Sequence, residues 1–169
     1  MASLETLHDL FVHELRDLYD AEQQLIKALP LMAQAAKSPQ LRKSFETHLV
    51  ETEEQARRIE RVFKGLGSEP AGRTCKAMQG LIAEAKETMD EDADPDVMDA
   101  ALIVAAQKVE HYEIAGYGSV CTFARVLKYD EAAKILKATM AEEESTDKKL
   151  TQLSEAINPR AETADSSTT

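Results

Sequence analysis

Apolar residues recur every three or four positions along this chain, in long stripes separated by short polar breaks. The first stripe is Leu4, Leu7, Phe11, Leu15, Leu18, Leu25, Leu29, Met32 and Ala36. That spacing is one face of an α-helix. It predicts a helix from Ser3, as its cap, to Ala36, with a kink or break at Pro30. Lys37-Ser38-Pro39 reads as a tight turn, with Ser38 capping the next helix and Pro39 in its first position. The second stripe, Leu41, Phe45, His48, Thr52, Ala56, Ile59, Phe63 and Leu66, is closed by Gly65 and Gly67. Residues 67–95 break the pattern, and the short stripe Met78, Leu81, Ile82, Ala85, Met89 predicts one short helix there. A third long helix carries Leu102, Ala105, Val109, Glu113, Gly116, Val120, Phe123 and Leu127. After Lys128-Tyr129-Asp130 a fourth carries Leu136, Met140, Glu143, Asp147, Leu150, Leu153 and Ile157, with Asn158-Pro159 as its stop.

Long helices joined by tight turns lie antiparallel. The prediction is an all-α protein: an antiparallel four-helix bundle whose two hairpins are joined by a long crossover carrying a short fifth helix. That is ferritin-like connectivity rather than simple up-and-down order. One domain spans 1–157, and 158–169 reads as a mobile tail with nothing to bury.

Composition supports this picture. The chain has 169 residues, 43% hydrophobic and 30% charged, with no Trp and an apolar surface of Leu, Ala, Ile and Met. The formal net charge of -11 argues against a nucleic-acid or anionic-membrane partner and suits cations. Cys75 and Cys121 are the only cysteines, which fits a reduced compartment. No signal segment or membrane-length apolar run is visible, so a cytoplasmic location is expected.

The informative positions are those where the stripes are interrupted. Glu22, Glu113, Glu143, Asp147 and His48 stand where apolar residues belong. Buried carboxylates need cations or protons between them. Reflection across the tight turns puts Glu22 near the level of Glu53, close to Glu51 and His48, Glu113 near Glu144, and Glu110 near Asp147. His48-x-x-Glu51, Glu110-x-x-Glu113 and Glu144-x-x-Asp147 are pairs on one helical face. Carboxylates with imidazole suit iron or manganese, and helical bundles hold two such ions between carboxylates. None of these candidate positions belongs to the usual Glu-x-x-His motif. Stripe position favours Glu143 and spacing favours Glu144, so both stay candidates. A lone His48 reads as a satisfied core histidine; the pairing with Glu51 makes it a ligand candidate. Tyr19, Tyr112 and Tyr117 read as core and interface filling, with donation to carboxylates or relay of electrons near a metal as the alternatives. The two cysteines read as small buried apolar residues.

The segment Lys108-Val109-Glu110-His111-Tyr112-Glu113-Ile114-Ala115-Gly116-Tyr117-Gly118 resembles the signature of the YciF-type stress proteins, a ferritin-like family. So do Asp20 to Leu25, His48 to Thr52 and Glu142 to Leu150, and the resemblance covers about residues 4–155. It implies a four-helix bundle with a short extra helix at a homodimer interface, similar to rubrerythrin-like di-iron proteins, and induction under stress. It favours Glu22, Glu51, Glu110, Glu113, Glu144 and Asp147 as ligands. Two functions follow as expectations. One is a dinuclear site, iron before manganese, acting on O2 or peroxide. The other is a non-catalytic dimeric stress protein with a degenerate site, whose acids share protons.

Overall fold

The structure is a computed structural model that describes residues 4–163. It contains five helices and, among the described residues, no strand: α1 (Leu7–Ala35), α2 (Pro39–Leu66), α3 (Lys76–Met89), α4 (Pro95–Val126) and α5 (Asp130–Thr163). The ends follow from local chemistry. Thr6 and Asp9 form a capping box for α1, the Asp9 carboxylate accepting from Thr6 N at 2.8 Å and Thr6 Oγ1 from Asp9 N at 3.1 Å. The helix therefore starts later than expected; Ser3 lies outside the described residues, and Leu4 is exposed. Pro30 sits inside α1 on its exposed side, and the helix continues through it. Ser38 caps α2, Pro39 follows it, and Gly67 closes that helix in the left-handed conformation at φ 66°. Asp94 caps α4, with Pro95 in the first turn.

The C-terminal stop is a correction. α5 passes through Asn158 and Pro159 to Thr163 instead of ending at Ile157. Pro159 is exposed, so the backbone group left without a partner can be satisfied by water, while buried Ile157 anchors the preceding turn. Arg160 Nε also reaches Asp96 Oδ1 at 3.4 Å. Residues 164–169 of the expected tail lie outside the described residues.

Side-chain pairings fix how the helices run. Arg16 reaches Ser68 and Tyr19 reaches Glu60, so α1 and α2 are antiparallel. Gln107 meets Thr151 and His111 meets Asp147, so α4 and α5 are antiparallel. Asp99, in the second turn of α4, accepts from Lys37 N and Ser38 N at 2.7 Å each, beyond the end of α1. Tyr129, beyond the end of α4, bonds His8 near the start of α1. α4 thus runs against α1 and along α2. The segment from Gly67 to Asp94, with α3, travels the length of the molecule to begin α4 at the far end. α3 packs on α1 and α4, and the four long helices contact one another in the cycle α1, α2, α5, α4. At Gly116 a Cβ would sit 2.7 Å from Leu18 Cδ2, so glycine permits the close approach of α4 to α1. Among the described residues no helix is long and apolar enough to cross a membrane.

Asp99 is fully buried, and its carboxylate serves two backbone N–H groups of the α1–α2 turn. Asp99→Ala strands both donors. It is expected to lower unfolding free energy in urea by about 3 kcal/mol, with Asp99→Asn intermediate.

Candidate metal centre

The core is divided. One apolar cluster holds Leu25, Leu29, Leu41, Phe45, Leu102 and Leu150. The other holds Phe11, Leu15, Ile59, Phe63, Val120 and Leu136. On α2, α4 and α5 the positions between them are polar: His48 and Thr52, then Glu110 and Glu113, then Thr139, Glu143 and Thr146, all buried. Buried Glu22 of α1 belongs to the same layer. Helical periodicity aims these side chains inward, because each stands on the apolar stripe of its own helix.

One ligand atom each from His48, Glu110, Glu113 and Glu143 falls within a mutual 4.8 Å. His48 Nε2 lies 3.1 Å from Glu110 Oε1 and 3.7 Å from Glu143 Oε2, and its Nδ1 lies 3.5 Å from Glu51 Oε2. None of these contacts has the alignment of a hydrogen bond, and both ring nitrogens lack an aligned partner. Glu22 stands beside the four and accepts a short hydrogen bond from buried Tyr117 Oη. Among the described residues, six buried carboxylate oxygens have no hydrogen-bond partner: Glu22 Oε2, Glu110 Oε2, both of Glu113 and both of Glu143. Such a set is strongly unfavourable as free anions.

The electrostatics follow from that geometry. Burial pushes Glu22 up to about 8, against the Tyr117 hydrogen bond and His48, which favour its anion. Glu113 is pushed well above the usual carboxylate range by burial, then by Glu22, Glu143 and Glu110. Glu143 rises for the same first reason, with His48 opposing and Glu110 adding to it. Burial alone would lower His48, but Glu110, Glu51 and Glu143 outweigh it and hold the imidazole well above its ordinary value. Glu51, half-buried at the edge, is lowered by its contact with His48. Without a cation, the interior balances charge with protons.

Of the eight residues read from the sequence, the structure brings His48, Glu110, Glu113 and Glu143 together, sets Glu22 beside them, and attaches Glu51 through His48. It leaves out two. Glu144 is exposed. Asp147 faces outward, with His111 Nε2 at 3.3 Å and Gln107 Nε2 at 3.1 Å from its Oδ1. The reason is helical phase: Glu144 stands about 100° around α5 from buried Glu143, and Asp147 the same angle from buried Thr146. The inward line of α5 then runs Leu136, Thr139, Glu143, Thr146, Leu150. Tyr117 takes the alternative role rather than mere filling, since it donates to Glu22. One feature escaped the sequence reading. Gln55, seven residues after His48 on the same face, is buried and donates to Glu142 at 3.2 Å. Glu142 is also gripped by both terminal nitrogens of Arg58, at 2.6 and 2.8 Å. The i, i+7 spacing was the available signal for Gln55.

Comparison with known proteins agrees with this frame. The domain of unknown function DUF892 matches residues 6–162, and the chain belongs to that family. It is 46% identical over 162 residues to Protein YciF of Escherichia coli (strain K12), covering 95% of this chain and 98% of that protein. The crystal structure of that E. coli stress protein superposes with a TM-score of 0.90, covering 92% of this chain and 99% of that one. YcfI from Rhodopseudomonas palustris, 44% identical, gives a TM-score of 0.85 over 89% of this chain and 98% of that one. A dodecameric thioferritin from Bacteroides fragilis shares the fold at 20% identity, with a TM-score of 0.70 over 91% of this chain and 89% of that one.

The raised groups set a pH dependence for the metal-free protein. Unfolded, Glu22 loses its proton near 4.5; folded, it keeps it to about 8. Between those values the folded state binds more protons, so stability falls as pH rises. Raised Glu113, Glu143 and His48 act in the same direction. Chelator-treated protein is expected to melt higher at pH 5 than at pH 8, and Glu113→Gln to flatten that slope.

Proposed function

We propose that this member of the DUF892 family is a ferritin-like four-helix bundle with one crossover that holds a dinuclear carboxylate metal site. The ligands in this reading are Glu22, His48, Glu110, Glu113 and Glu143, with Glu51 at the edge through His48. Glu144 and Asp147 are not among them. The observation that carries the reading is the set of six buried carboxylate oxygens without a partner around one imidazole. The donor set is oxygen-rich with one nitrogen, which fits iron and manganese and does not favour a thiolate metal. The resemblance puts iron first.

Once bound, such ions supply redox chemistry and open positions for O2 or peroxide. The chain supplies the rest. On holding cations, Glu22, Glu113 and Glu143 would give up the protons that otherwise balance them. Tyr117 orients Glu22 by donating to it, leaving Glu22 Oε2 free as a donor atom. Arg58 and Gln55 hold Glu142 away from the centre, so the next residue, Glu143, keeps both oxygens for it. The two apolar clusters keep bulk water from the layer. Work on O2 or peroxide, as a cytoplasmic homodimer under stress, completes the reading.

A second reading rests on His48. Its Nε2 lies between Glu110 and Glu143, and a protonated imidazole there offsets part of the charge without metal. In that case the protein is a non-catalytic dimeric stress bundle with a degenerate site.

Metal analysis separates the two. After anaerobic loading with Fe(II) or Mn(II) and desalting, wild type is expected to retain about two ions per chain, as dinuclear bundles do. Glu22→Ala and Glu113→Ala should lose most of that metal, while Glu144→Ala keeps it. Equal, substoichiometric metal in all four proteins supports the second reading.

A further inference from the structure

A second buried polar network lies on the other side of Tyr112, the residue before Glu113, and the metal reading does not use it. Cys75, fully buried where the crossover segment enters α3, places its Sγ 3.0 Å from Tyr112 Oη. Tyr112 Oη donates a short hydrogen bond to Asp17 Oδ2. A phenol has one proton, and Asp17 receives it, so in the Cys75–Tyr112 contact the thiol is the donor. Asp17 also lies within hydrogen-bonding reach of the Cys75 thiol, so thiol, phenol and carboxylate form one cluster with the carboxylate as its acceptor. Both ends are braced. Arg73 Nε grips Asp17 Oδ1 at 2.8 Å. Cys75 N donates to Asp20 Oδ2 at 2.7 Å, and its Sγ accepts from Met78 N at 3.4 Å as the cap of α3. Gln24 Nε2 joins Asp20 Oδ2 and Cys75 O, at 2.6 and 3.1 Å.

A thiol capping a helix is an uncommon choice, since Ser, Thr, Asp and Asn lead there. Packing alone does not need a sulfur whose hydrogen is aimed at a tyrosine whose own proton is already committed to a carboxylate. That arrangement is what proton-coupled oxidation of a phenol requires, with a base to take the proton and a hydrogen-atom donor to restore the phenol.

We propose that Cys75, Tyr112 and Asp17 form a redox relay that draws a single oxidising equivalent away from the carboxylate layer. In the first step Tyr112 gives one electron to a one-electron oxidant, and its phenolic proton passes to Asp17; the product is a neutral tyrosyl radical beside a protonated carboxyl. In the second step the Cys75 S–H bond breaks and its hydrogen atom, proton and electron together, forms the O–H bond of Tyr112, leaving a thiyl radical. A low-molecular-weight thiolate closes the cycle by giving one electron to the Cys75 sulfur, and the proton held on Asp17 returns to restore the S–H bond. The physiological oxidant, a one-electron species arising from peroxide or O2, rests on the function proposed above; the relay itself is testable without metal.

The experiment uses chelator-treated full-length protein and a flash-generated ruthenium(III) polypyridyl oxidant in solution, with tyrosyl radical followed by transient absorption and EPR. Cys75→Ser keeps the helix cap and the hydrogen bond, but its O–H bond is too strong to yield a hydrogen atom. Wild type is expected to form a tyrosyl radical that decays quickly with loss of one free thiol. In Cys75→Ser the radical lasts several-fold longer. In Tyr112→Phe the thiol-linked decay disappears, and Asp17→Asn slows radical formation several-fold. Equal radical lifetimes in wild type and Cys75→Ser, or thiol loss unchanged in Tyr112→Phe, would overturn the relay. Because no metal is present, failure here leaves the metal reading standing, and failure of metal loading leaves the relay standing.

Discussion

Everything in this molecule is arranged around charge that water cannot reach. Glu22, Glu113 and Glu143 are fully buried and Glu110 nearly so, half-way along four packed helices. In a medium of low dielectric constant, isolated carboxylates cost far more than any local hydrogen bond returns. Tyr117 and His48 address part of that cost. The remaining oxygens require protons or cations. A fold that keeps such a layer sacrifices stability at neutral pH, so the layer needs a compensating role.

The surrounding structure holds that layer in place. Apolar clusters above and below fix the spacing of the helices without offering any polar partner. Gly116 lets α4 close on α1 at Leu18, near the level where Tyr117 reaches Glu22. The Asp99 carboxylate ties the start of α4 to the α1–α2 turn. That single clip sets the direction of α4, and with it the need for a long crossing segment. The segment is not idle cover. Through Cys75 and Arg73 it brings a second, partly buried network against α1 and α4, one residue along from Glu113.

The fold was legible because four of the five elements are long and periodic, and because Ser38-Pro39 at a tight turn and Gly67 at the end of α2 are signals that act locally. The inward acids were legible for the same reason: a carboxylate on an apolar stripe is conspicuous. What the pattern concealed was helical phase. Thr139 and Thr146 complete the inward line of α5, and 3/4 spacing from Glu143 admits either Thr146 or its neighbour Asp147. Reflection across the turn gives level but not facing, so it does not separate Glu143 from Glu144. The capping box at Thr6 was hidden because Asp9 replaces the expected Glu. Long-range donors such as Tyr117 to Glu22 and Tyr112 to Asp17 join residues 95 positions apart, and no local pattern announces them.

The central claim is that the carboxylate layer exists to hold cations. Anomalous scattering at the iron edge, from crystals grown or soaked with Fe(II) without oxygen, tests it most directly. The account predicts two peaks among Glu22, His48, Glu110, Glu113 and Glu143, in the layer between the two apolar clusters. No peak there, or iron bound only on the outer face at Asp147 and His111, would contradict it.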